Sequence, residues 1–96
     1  VDTDFVIIDE RDNVATALAP LPKGAVVARG SGDERGSVVL GDDIPVAHKF
    51  ALVSIGPGED VIKYGEVIGR ATCLIRPGAH VHIHNVEGLR GRGDKA

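Results

Sequence analysis

The stretch Ala71-Thr72-Cys73-Leu74-Ile75-Arg76-Pro77-Gly78-Ala79-His80-Val81 decides the fold of this chain. Proline presets φ and glycine accepts a positive φ, so Pro77-Gly78 reads as a tight turn. Apolar residues at Ala71, Ile75 and Val81 flank it, which makes the segment strand, turn, strand. The spacing A-x-x-x-[LI]-x-x-G-x-x-V occurs twice more, at Ala17, Leu21, Gly24, Val27 and at Ala51, Ile55, Gly58, Val61. The copies are unevenly spaced, which excludes a solenoid and leaves one compact β unit whose turns share a device. Tyr64-Gly65-Glu66 lies between the second and third copies and reads as the hairpin that joins them.

Outward from these copies, Phe5-Val6-Ile7-Ile8, Val38-Val39-Leu40 and Phe50-Ala51-Leu52-Val53 read as further short strands. Val14 to Leu18 fits a strand or a helical turn, and periodicity does not decide between them. The glycine-rich run from Arg29 to Gly36 reads as a mobile loop or hairpin tip, and it lacks the lysine and spacing of a P-loop. Composition points the same way. Aromatic residues are only 3% of the 96, so the core must be aliphatic, and 13 glycines with 5 prolines imply frequent turns. A formal net charge of -3 disfavours nucleic acid and anionic membranes as partners. No apolar run is long enough for a transmembrane helix, and no signal peptide is read in a chain that begins at Val1. A single cysteine, Cys73, forms no internal disulfide, which fits a reducing cytoplasm; among apolar neighbours it reads as buried.

The chemistry gathers near the end. His80, His82 and His84 alternate with Val81 and Ile83. Read as one strand, this run places the three imidazoles on one face and buries Val81 and Ile83 on the other. Such a row suits a metal, an anionic ligand or proton transfer, because imidazole titrates near neutral pH. Neighbouring His80 and His82 can converge on one ion, whereas His84 must bend back. The plain alternative is a solvated, hydrogen-bonded face. The same alternative applies to Lys49 and Lys63 as solvated charges, to Tyr64 as a packing residue and to Asn85 as a turn residue.

Three blocks carry a family resemblance. Asp43-Ile44-Pro45-Val46-Ala47-His48-Lys49-Phe50-Ala51-Leu52 resembles the D-I-P-x-G-H-K-x-A-L block of the altronate and galactarate dehydratase family. Val61 to Thr72 resembles its V-I-K-Y-G-x-x-I-G-x-A-T block, and Gly78 to Asn85 its G-x-H-V-H-x-H-N. Order and spacing fit together, from about residue 12 to residue 94. Ala47 stands where the family has glycine, and Ile83 where threonine is common, which suggests a drier back face.

The resemblance is to the small N-terminal domain of those enzymes. It implies a mainly β, SAF-type β-clip fold of short strands and tight turns over residues 1–86, with a flexible tail at 87–96. It further implies the small component of a hydro-lyase acting on sugar acids, inactive alone, which helps a large catalytic subunit complete its active site. In the sulfolactate sulfo-lyase branch the domain is a separate alpha subunit, and the substrate is then sulfolactate. A divalent metal, Fe2+ or Mn2+, is expected, held mainly by the large partner, with His80 and His82 as candidate ligands in this chain. His80, His82 and His48 are the catalytic candidates; Lys49, Lys63, Tyr64, His84 and Asn85 are the substrate-binding ones. Self-association is also expected, from exposed strand edges and a small core. The rival reading is a free-standing SAF-type ligand-binding or assembly module without catalysis, which needs the fold but not the histidines.

Overall fold

A computed structural model describes residues 4–28 and 37–88. Within them the chain forms nine short strands and no α-helix. They are β1 (Phe5–Val6), β2 (Val14–Ala17), β3 (Val26–Ala28), β4 (Ser37–Val39), β5 (Lys49–Ala51), β6 (Asp60–Lys63), β7 (Glu66–Ala71), β8 (His80–Val81) and β9 (Val86–Gly88). All pairings are antiparallel, in sheets of order β1-β2-β5-β8, β3-β4 and β6-β7-β9. The segment at Val14 resolves as strand. The expected loop from Arg29 to Gly36 and the tail from residue 89 onward lie outside the described residues.

The turn device is confirmed and extended. Gly24, Gly58 and Gly78 adopt φ of 90°, 83° and 85°. Each turn closes with a hydrogen bond from the next residue's N–H back to the first carbonyl: Ala25 to Pro22, Glu59 to Gly56 and Ala79 to Arg76, each at 3.0 Å. A fourth turn has the same form, with His48 N donating to Pro45 O at 3.1 Å and Ala47 at φ 73°. Positive φ at the third residue is the type II pattern, which favours glycine there. Leu40, Ile44, Ala47 and Phe50 therefore make a fourth copy of the repeat, hidden in the sequence because alanine stands in the glycine position.

The four copies pair two by two. Leu21 and Ile44 exchange backbone hydrogen bonds at 2.9 and 2.8 Å, and Ile55 and Ile75 do so at the same two distances. Ala47 N donates to Ala17 O at 2.8 Å just as Gly78 N donates to Ala51 O at 2.8 Å. Equivalent positions are buried in both halves: Ala17 and Ala51, Leu21 and Ile55, Val27 and Val61, Leu40 and Ala71, Ile44 and Ile75, Phe50 and Val81. They form two aliphatic clusters, one per half, with Phe50 the largest fully buried side chain. The domain is thus two copies of one β unit, each with its own small core, joined through β2, β5 and β8.

The hairpin read at Tyr64-Gly65-Glu66 is present. Lys63 pairs with Glu66 across a two-residue turn, Tyr64 at φ 60° and Gly65 at φ 74°. Two positive φ values make it the tight turn whose twist suits a hairpin. Buried Asp12 holds the tip, its carboxylate accepting from Gly65 N at 2.8 Å and Asp9 N at 3.1 Å. Asn13 accepts from Ile62 N at 2.7 Å and donates to Asp60 O at 2.9 Å. These bonds fix the Lys63 end of the hairpin against β2.

Four expectations are corrected. The histidine strand ends at Val81, and residues 82–85 form a turn, so alternation does not put His82 and His84 on His80's face. Ile83 is 85% exposed instead of buried, which removes the dry back face. Cys73 is exposed, because it lies in the bend after β7 and not within a strand. Glu87 and Gly88 pair with Arg70 and Gly69, so the ordered β unit runs past residue 86.

Candidate functional site

The site forms where the two halves meet. His48 leaves the fourth turn directly into β5, and β5 pairs with β8 through Lys49↔Val81 and Phe50↔His80. The chain then reverses at once. The side-chain oxygen of Asn85 accepts from His82 N at 2.9 Å, and its amide nitrogen donates to His80 O at 2.9 Å. Asn85 N donates to His82 O at 3.0 Å, closing the turn. Asn85 is 6% exposed. Both ends of its amide are engaged by the backbone of the two histidines, so it positions them.

This reversal gathers the imidazoles. His82 stacks on His48 with ring centroids 4.1 Å apart and planes 16° from parallel. His48 and His80 lie 5.0 Å apart, His80 and His82 5.4 Å. His48 Nδ1 is 2.8 Å from His80 Nε2, so one nitrogen donates a proton to the lone pair of the other. Asp42 accepts from His80 N at 2.9 Å and anchors the start of β8. His84 is exposed, its ring tilted 40° from that of His80 at 5.4 Å, on the outer side of the cluster.

Both an ammonium, Lys49, and a carboxylate, Asp42, act on the cluster. Partial burial, then repulsion from Lys63, holds the Lys49 ammonium below its usual range. His80 is lowered by burial, then by the neighbouring His48, His84 and His82, with Asp42 opposing. Lost solvation lowers His82, followed by His48, Lys49 and His84. Both rings are therefore shifted below the ordinary 6.5, toward the neutral form. Lys63 sits with its Nζ 4.7 Å from the ring centroid of Tyr64, itself half exposed at the hairpin tip.

The structure thus unites His48, His80 and His82, keeps Lys49 within electrostatic reach of His82 and Lys63, leaves His84 exposed beside His80 and puts Tyr64 at the hairpin tip beside Lys63. One ring nitrogen from each of His48, His80 and His82 lies within 4.8 Å of the others. Neutral imidazole nitrogens are ordinary ligands of divalent transition metals, so the donor set fits such an ion. Three acidic residues of the neighbouring segments take other roles. Asp43 accepts from Lys23 N at 2.8 Å, Asp42 holds the His80 backbone, and Glu66 closes the hairpin opposite Lys63. Sequence reasoning paired His80 with His82 as ligands and left His48 out. The signal that would have added it is the fourth turn copy, which delivers His48 to the same end as Ala79-His80.

Comparison with known proteins gives these observations a context. The altronate/galactarate dehydratase SAF domain profile matches residues 3–89. The chain is 44% identical over 81 residues to the altronate dehydratase of Escherichia coli, covering 84% of this chain and 16% of that enzyme. It is 39% identical over 84 residues to the altronate dehydratase of Bacillus subtilis, again 16% of the longer protein. Against the (2R)-sulfolactate sulfo-lyase subunit alpha of Chromohalobacter salexigens it is 36% identical over 90 residues, 96% of that subunit. The chain therefore spans about one sixth of the altronate dehydratases and nearly all of the sulfo-lyase subunit. A β-rich body without α-helix among the described residues, a histidine cluster carried on the G-A-H-V-H-I-H-N segment and a profile match over nearly the whole length agree: the chain belongs to the altronate/galactarate dehydratase SAF-domain family.

Proposed function

We propose that this chain acts as the small component of a hydroxy-acid lyase, supplying a cluster of imidazole and ammonium groups to the active site of a larger catalytic subunit. The observation that carries the reading is the turn closed by Asn85, which folds His82 back over His48 and His80 beside Lys49. Removal of water from a sugar acid needs a base for the proton next to the carboxylate, an acid for the departing hydroxyl and positive charge for the developing enediolate. Lys49 and Lys63 hold the substrate carboxylate. His48, His80 and His82 serve the reacting carbons, as proton carriers or as ligands. His84 and Tyr64 border the entrance. A divalent metal such as Fe2+ or Mn2+ would supply Lewis acidity for the enediolate. An open face of this kind does not exclude water alone, so the chain is inactive without its partner. The same reading puts the complex in the cytoplasm, where a lone thiol such as Cys73 stays reduced.

Sulfolactate is the second substrate reading, favoured by the match over 96% of the sulfo-lyase alpha subunit. In that case sulfite, not water, leaves. The experiment compares the large subunit alone, this chain alone and their mixture on altronate, galactarate and sulfolactate. Activity confined to the mixture, and lowered by about 100-fold or more in His80→Ala or His82→Ala, is the expected result. A large subunit fully active by itself would overturn the proposal and leave the free-standing binding module.

A further inference from the structure

We infer that His48, His80 and His82 bind a divalent transition-metal ion in this chain alone, without a larger partner. The sequence suggested two ligands, His80 and His82; the structure supplies a third, His48, from a different element. Backbone placement is set in advance. His48 ends a hydrogen-bonded turn, His80 lies in a strand paired with β5, and the buried Asn85 side chain holds the backbone of both His80 and His82.

The distances suit an ion. Two nitrogens each about 2.1 Å from one metal lie roughly 3.0–3.4 Å from each other. His48 Nδ1 and His80 Nε2 are 2.8 Å apart, close to that edge, and the third donor completes a set within 4.8 Å. The rings are near parallel, so capture requires the His82 ring to turn about its own χ2. That side chain is partly exposed, and no hydrogen bond among the described residues holds its ring.

The chemistry of the set names the ion class. Three imidazoles without a carboxylate favour zinc, cobalt, nickel, copper or ferrous ion over magnesium and calcium, which demand oxygen. Three neutral ligands leave the full positive charge on the ion and its remaining positions open, next to Lys49. An oxygen anion such as a hydroxy-acid carboxylate is the complementary ligand for those positions. Within the proposed function this makes the three histidines ligands and moves proton transfer to other groups. Ion binding itself is read without turnover and is tested apart from it.

The test uses the full chain, purified without a polyhistidine tag, titrated with Co2+ and Zn2+ by calorimetry and visible absorption. One ion per chain is expected, with Mg2+ failing to displace Co2+. His48→Ala, His80→Ala and His82→Ala should each weaken binding by at least about tenfold, the lower end of what loss of even a supporting group costs. Cys73→Ser and His84→Ala should retain it. The unmodified chain provides a second readout that no folding defect can confuse: Zn2+ should shift the ring resonances of His48, His80 and His82 together. No binding, displacement by Mg2+, survival in all three alanine variants, loss in Cys73→Ser or a different set of shifted rings would each overturn the inference. An active mixture with an ion-free small chain would sink this inference and spare the proposed function. Ion binding beside a self-sufficient large subunit would do the reverse.

Discussion

The two halves of the domain share a pair of type II turns, a reciprocal isoleucine or leucine bridge and a buried aliphatic cluster, yet they leave their last turn differently. After Pro45-Val46-Ala47-His48 the chain runs on through β5, which is paired on both sides, and enters the second half. After Arg76-Pro77-Gly78-Ala79 it makes two strand residues and reverses around Asn85. The shared part is scaffold. The candidate site lies where the halves depart from each other, and it needs both: His48 from the end of the Pro45–His48 turn, His80 and His82 from β8 and the reversal that follows it.

A second difference is chemical. Three of the four turns place glycine at the positive-φ position and the fourth places Ala47 there. Gly78 has no such freedom. A Cβ added to it would lie 2.1 Å from Val39 O, in addition to the strain of φ 85°. Gly58 faces open space, so only the backbone strain applies there.

These contrasts can be broken in order of size. Gly78→Ala combines strain with a backbone collision between the halves and should destabilise by about 3–5 kcal/mol, seen as a collapse of the urea midpoint or a failure to fold. A near-normal midpoint would mean that the approach of the Gly78 turn to β4 is not tight. Asn85→Ala removes two hydrogen bonds and strands buried backbone groups, at about 2–3 kcal/mol. It should also release His82 from His48, which the dispersion of the histidine ring resonances would report. Gly58→Ala meets only the left-handed penalty, about 1–2 kcal/mol, and a loss as large as that at Gly78 would refute the distinction between the two turns. Ala47→Gly should act in the opposite sense. Relief of the same penalty outweighs the added freedom of the unfolded chain, for a gain of about 0.5–1 kcal/mol by urea unfolding. The smallest effect belongs to Ile83→Ser, within about 0.5 kcal/mol of the parent, because that side chain is already in water. A loss near 2 kcal/mol would restore the buried strand face that the sequence suggested.

The repeated turn was legible because a positive φ leaves a mark in the sequence: only glycine accepts it freely, and proline precedes it in two copies. Apolar spacing around those glycines then sufficed for short strands, an aliphatic core and the Tyr64-Gly65 hairpin. The histidines and lysines were legible as residue types, and the quoted blocks carried the family. The fourth copy was hidden because Ala47 tolerates the left-handed turn without displaying it. The end of β8 was hidden because Val81 and Ile83 look alike in a strand pattern, while the reversal depends on where the Asn85 amide finds its partners. Cys73 was misplaced for a related reason, since apolar neighbours do not distinguish a strand from the bend that follows it. Sequence alone therefore determined the turns, the β class and the inventory of chemical groups, all consequences of local backbone preference and hydrophobic spacing. Tertiary structure alone decided which imidazoles meet, because His48 and His80 are 32 residues apart and only the pairing of β5 with β8 brings their nitrogens to 2.8 Å.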